Sequence, residues 1–337
     1  MRNIAGVLMS MALCISVLRA TVQPNGTDSL VATGVHDSPL GKFVLYLPAD
    51  YQPEAEVYLR ETTMDVALAL ITRFGPVTPA PFQLIIVGTR EQLVTTVGGE
   101  VPEWIHALAF EHPPRVIILD PNSRRADPAS DNLEQTLLHE LTHVYLYRLY
   151  PSRGGDHLPG WLHEGLAVHI SSGLDRGMHR ALIRGRLTNK YYTLDQLDRI
   201  YHTSSILSEL AYAQAAFAAK HMEASYGAGV FRSLFDELRM DKPFFAAFTS
   251  STGESLEEFH ARYESELRRQ YNILIILGDP QVLFILLPIL VLIAYLVRMW
   301  RNWRITQKWA IEGAYDERSQ VSAGSPASDE DTSEKGI

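Results

Sequence analysis

The sequence predicts an α+β domain of two lobes, a mixed-sheet N-terminal lobe and a helical C-terminal lobe, followed by one transmembrane helix. Three observations predict it. Strand-like runs gather before residue 121, the pattern from Asp131 onward is almost wholly helical, and the run Val282 to Val297 carries no charge.

Taken in order, residues 1–20 read as a signal sequence, with Arg2 as the positive start, Ile4 to Leu18 as the apolar stretch and Leu18 and Ala20 as the cleavage site. A lipoprotein reading of Cys14 is weaker, because Leu13 stands where a small residue is expected. Residues 21–272 form the expected globular domain. In its first part FVLYL (43–47), FQLIIVG (82–88) and RVIILD (115–120) read as strands, and Glu54 to Arg73 reads as a helix. The expected transmembrane helix is 281–300. Its apolar run is uncharged on every side, with Tyr295, Trp300 and Trp303 at one border, whereas a buried core helix should keep a polar face. Arg298, Arg301, Arg304 and Lys308 follow it, so the positive-inside rule puts 301–337 in the cytoplasm and the domain on the extracytoplasmic side of a cell membrane. That tail is basic, then acidic, and the part after residue 312 has few apolar residues to bury, the composition of a disordered segment.

The formal net charge of −9, with no basic cluster outside the segment after residue 297, excludes nucleic acid as a partner. Cys14 is the single cysteine, so the folded part holds no disulfide and depends on core packing, or on a metal.

The chemistry gathers in DNLEQTLLHELTHVYLYRLY, residues 131–150. Asp131 and Glu134 make a capping-box-like start, and neither Gly nor Pro interrupts the stretch, so about five turns of helix are expected. Leu133, Leu137, Leu141 and Val144 form an apolar stripe. His139 and His143, at i and i+4, lie one turn apart where both rings can reach one ion. A zinc site needs a third protein ligand. Glu164 is the candidate, in WLHEGLAVHISSG (161–173), where Pro159 suits a helix start and Gly173 a C-terminal cap.

HELTH at 139–143 followed by WLHEG at 161–165 resembles the HExxH and downstream Glu of gluzincins, the metallopeptidases that include thermolysin and aminopeptidase N. The WLHEGLA form resembles that of the aminopeptidase side and of the bacterial peptidase MA-like proteins, and the resemblance to the latter extends to VPEWIHALAF (101–110), AYAQAAFAAKHMEASYG (211–227) and GESLEEFHARYESELRRQY (253–271). The resemblance implies a gluzincin/thermolysin-like fold, Zn²⁺ held by His139, His143 and Glu164, and Glu140 as general base. It also implies a tyrosine or histidine near the developing oxyanion. Tyr212 is the best match, with Tyr201 and His202 as alternatives. His163 and His169 flank the third ligand but do not share its face. Thermolysin carries an Asp four residues after its Glu ligand to orient a ligating histidine; Val168 occupies that place here, which leaves that partner unidentified.

The expected function is therefore a membrane-anchored zinc metallopeptidase acting on a peptide or protein substrate, with Ala107 to Phe110 as a sheet edge along which substrate adds a strand. The alternative is a metal-bound but non-hydrolytic binding or scaffold module. No Gly-x-Met-Glu-Asn segment of the kind with which aminopeptidases read a free amino terminus is present, so an endopeptidase or processing peptidase is expected. Oligomeric state is not legible.

Overall fold

The computed structural model describes residues 30–49, 51, 53–103, 105–119, 133–151, 158–200, 205–272 and 280–323. The expected signal sequence, Asp131, Tyr201, His202 and the end of the tail lie outside them. Residues 1–272 and 273–337 form two separate units.

The first unit holds a five-stranded mixed sheet, ordered β1-β2-β3-β5-β4, from β1 (Leu30–His36), β2 (Phe43–Pro48), β3 (Phe82–Val87), β4 (Ala107–Phe110) and β5 (Arg115–Leu119). Strands β2, β3 and β5 run parallel, joined through α1 (Pro53–Phe74) and α2 (Arg90–Val97), while both edge strands pair antiparallel. Every residue of β3 is buried, as expected of a central strand covered on both faces. Phe82, Leu84 and Ile86 enter the main core, and Ile85 and Val87 meet Leu93 of α2 on the other face. The sequence reading contains no strand at β1. Gly34 breaks its alternation, and the register shifts between Ala32 and Gly34 as in a bulge. The Ala107–Phe110 segment is β4, at the sheet edge.

Helices follow: α3 (Leu133–Leu149), α4 (Gly160–Ser171), α5 (Arg176–Leu187), α6 (Leu194–Ile200), α7 (Ser205–Tyr226), α8 (Val230–Leu238), α9 (Phe244–Thr252) and α10 (Leu256–Gln270). The unit is thus a mixed α/β, mostly helical fold. Its main core runs without a break from the sheet through α1, α3 and α4 to α10, so strand half and helical half share one interior.

Helix α3 lies inside that interior. Its apolar stripe is buried at Leu137, Leu141 and Val144, and its far end is tied to the sheet half. Arg148 donates to the carbonyl oxygens of Leu40 and Ala80 and covers the Phe82 ring, while the Tyr145 hydroxyl lies 3.0 Å from the Phe74 carbonyl oxygen and takes a 2.6 Å bond from Arg239. Helix α7 is fixed by the buried Gln214 amide, which donates to the Tyr192 carbonyl at 2.9 Å and to the Tyr263 hydroxyl at 3.0 Å while accepting from the Tyr192 amide.

The second unit is α11 (Pro280–Ala323), one helix that outruns the expected 281–300 span and enters the segment read as tail. Its Leu286–Gln307 stretch has a mean hydropathy of 1.3 and is long and apolar enough to cross a membrane. The consecutive Leu290, Val291, Leu292 and Ile293 are all exposed on it, so the apolar surface runs right round. Arg304 packs 3.8 Å from the Trp300 ring at the basic border.

Candidate functional site

Helix α3 presents His139, Glu140, His143 and Tyr147 to one cleft of about 370 Å³. Helix α4 adds Glu164 and Val168, α7 adds Tyr212, and β4 supplies the wall from Ala107 to Ala109. The volume falls within the usual range for small-molecule pockets.

Glu164 arrives there by a close helix contact. Helix α4 starts after Pro159, as the sequence predicts, and ends with the Gly173 amide bonded to the Val168 carbonyl at 2.8 Å. Between those ends Gly165 lies directly on α7, whose Ala211, Ala215, Ala218 and Ala219 form a smooth face.

The structure brings the three sequence-predicted ligand residues to one point. The Nε2 atoms of His139 and His143 are 3.2 Å apart, and each stands 3.6 Å from Oε2 of Glu164. That oxygen is buried and accepts no hydrogen bond among the described residues. A tetrahedral ion with bonds of roughly 2.0–2.1 Å separates its ligand atoms by about 3.3 Å, so a triangle of these sides is the right size to be closed by one zinc. Among the described residues this is the one group of three His, Cys, Asp or Glu side chains with its donors within 4.8 Å of one another.

Electrostatics agree with the donor set. Burial pulls the His143 ring down to about 3; Glu164 opposes this, and His139 and His163 add to it, so the ring is neutral and has a lone pair to give. Burial pushes Glu164 up, but the two rings outweigh it and hold the carboxyl below its ordinary value. Because His143 is neutral at pH 7, that hold passes to any cation the three residues share. Glu140 is 5% exposed, and burial pushes its carboxyl up to about 7, with His139 opposing and Glu164 assisting. Its carboxylate makes no hydrogen bond among the described residues. A cation beside it brings the value back down.

Tyr212 stands in the cleft wall, its phenol raised first by burial and then by Glu164 and Glu140. One neighbour, Tyr147, escaped the sequence reading, and His163, read there only as a flank of the third ligand, meets the site directly. Tyr147 lines the same cleft and is raised by burial and by Glu164, Glu111 and Glu140. Its spacing of i+4 from His143 was the available signal. His163 meets His143, Nδ1 to Nδ1, at 2.9 Å. His169 takes another direction: its Nε2 sits 2.6 Å from Glu223, which also accepts from Arg73 at 3.0 Å, and the three tie α4 to α7 and α1. Five residues past Glu164, it lies on a different helix face.

The solved structures similar to the chain include the following two. Aminopeptidase A of Legionella pneumophila, in complex with aspartic acid, is 12% identical with a TM-score of 0.40, over 71% of this chain and 28% of that one. A two-domain M1 zinc metallopeptidase variant bound to L-arginine is 18% identical with a TM-score of 0.36, over 73% of this chain and 52% of that one. The chain thus spans less than two-thirds of either. No curated protein matches it. The model of the Peptidase MA superfamily matches residues 62–268, from α1 through the cleft to α10, and the chain belongs to that superfamily.

Proposed function

We propose that the protein is a zinc-dependent peptidase in which His139, His143 and Glu164 hold the ion, Glu140 is the general base and Tyr212 is the oxyanion donor. The observation that carries this reading is the triangle of ligand atoms, with sides of 3.2, 3.6 and 3.6 Å, beside a buried carboxylate that is not one of its corners. A bound zinc supplies a Lewis acid that brings the pKa of water to about 7 and polarises a carbonyl.

The chain's own residues do the rest. Glu140 takes a proton from the attacking water on its carboxylate and returns it to the amine that leaves, so the base is regenerated within one turnover. The hydroxyl of Tyr212, held protonated by burial and two nearby carboxylates, donates to the oxygen that gains charge as the carbonyl becomes tetrahedral. Strand β4, the sheet edge along the cleft, offers backbone groups on its outer side to an extended peptide. That mode reads main chain more than side chains. With no Gly-x-Met-Glu-Asn segment to capture an amino terminus, internal bonds or a dedicated processing site are the substrates this cleft suits.

Helix α11 anchors the protein in a cell membrane, with the peptidase domain extracytoplasmic and the C-terminus cytoplasmic. The basic residues after Val297 support this orientation. The deciding experiment compares extracytoplasmic protein fragments in cells carrying wild type and Glu140→Gln. A fragment that depends on Glu140 is the expected result; full rescue of a deletion by Glu140→Gln favours the non-hydrolytic binding module.

A further inference from the structure

A metal-binding histidine needs its proton on the nitrogen that faces away from the ion, and a neighbouring group usually holds it there. Resting on the zinc reading above, we infer that His163 performs this task for His143 and is a positioning residue of the site. The Nδ1 atoms of the two rings are 2.9 Å apart, their centroids 5.2 Å apart and their planes 13° from parallel. Both distances are met together only when the two nitrogens lie near the line between the ring centres. That is the geometry of an in-plane hydrogen bond, not of a face-to-face stack.

Two nitrogens at this distance share one proton. His143 directs Nε2 at His139 and Glu164, so the lone pair belongs there and the proton belongs on Nδ1. His143 Nδ1–H therefore donates, and His163 accepts at Nδ1 as the tautomer protonated on Nε2. The His163 ring is itself seated against Tyr147, with centroids 4.8 Å apart. Tyr147 stands one turn beyond His143 on α3, so α3 supplies both the ligand and the surface that aligns its partner. His163 also immediately precedes Glu164 on α4, and any shift of α4 relative to α3 moves a ligand and an orienting group together. Val168, where thermolysin has its orienting carboxylate, has no polar side-chain atom to offer.

The test uses the full chain in detergent, with zinc affinity measured by chelator competition and the visible absorption of the Co²⁺-substituted protein as the coordination signature. His163→Phe keeps an aromatic ring against Tyr147 but has no acceptor; His163→Asn keeps an acceptor near the Nδ1 position. Zinc affinity should fall roughly 10–100-fold in the Phe variant, with an altered Co²⁺ spectrum, and both should return toward wild type in the Asn variant. A Phe variant with wild-type affinity and spectrum overturns the role of His163 while leaving the zinc reading intact. Equal loss in both variants overturns it too, since packing alone would then explain the effect. Wild-type protein that binds no zinc overturns the zinc reading, and this inference with it.

Discussion

A Cβ placed on Gly165 would stand 2.3 Å from the carbonyl oxygen of Ala215, closer than real Cβ contacts come. Helix α4 and helix α7 therefore meet backbone to backbone one residue from Glu164, and Tyr212 lies one turn before Ala215 on the facing helix. Gly165→Ala should part the two helices, costing about 1–3 kcal/mol of stability as an overpacked core does and weakening zinc binding as well. Denaturant unfolding and chelator competition check both. Unchanged values would mean that the helices separate freely.

Glu164→Ala leaves two histidines, too few to hold the ion. Purified protein should contain about one zinc per chain, and this variant close to none, by elemental analysis of material prepared without chelators. Chelation of the wild type should lower its unfolding temperature, because an ion that binds only the folded state stabilises it. A chain that never carried zinc should not respond.

Glu140→Gln should retain zinc and melt near the wild-type temperature while peptide cleavage falls roughly 10²–10⁴-fold, the usual share of a general base. Loss of zinc in this variant would make Glu140 part of the ligand set instead.

Tyr212→Phe should lower kcat about 10²–10³-fold with little change in KM, since the hydroxyl acts on charge that develops only in the transition state. Tyr147→Phe removes a hydroxyl from the same cleft and is the matched control, expected to act far less on kcat. If the two variants exchange these effects, Tyr147 is the oxyanion donor.

A reporter fused after Ile337 should be protected inside sealed cells, and one fused near Asn272 accessible from outside. Reversed protection would move the peptidase domain to the cytoplasm and change its substrates.

What the sequence determined by itself is whatever short-range chain geometry enforces. His139 and His143 share a face because a helix returns nearly to the same direction after four residues. Glu140, three residues before His143, falls beside that face, and the uncharged run after Val282 announces an apolar helix. Glu164 was legible as a candidate on a second predicted helix, and resemblance made it a ligand; Tyr212 was legible only through resemblance, since nothing in local spacing ties α4 or α7 to α3. Tertiary structure alone decided that Gly165 lets α4 close on α7, and that His163 turns toward His143 while His169 turns to Glu223. Those relationships depend on how helices distant in sequence pack in three dimensions. A residue's spacing fixes which face it occupies, but the partner that face meets is set by the burial of the whole core.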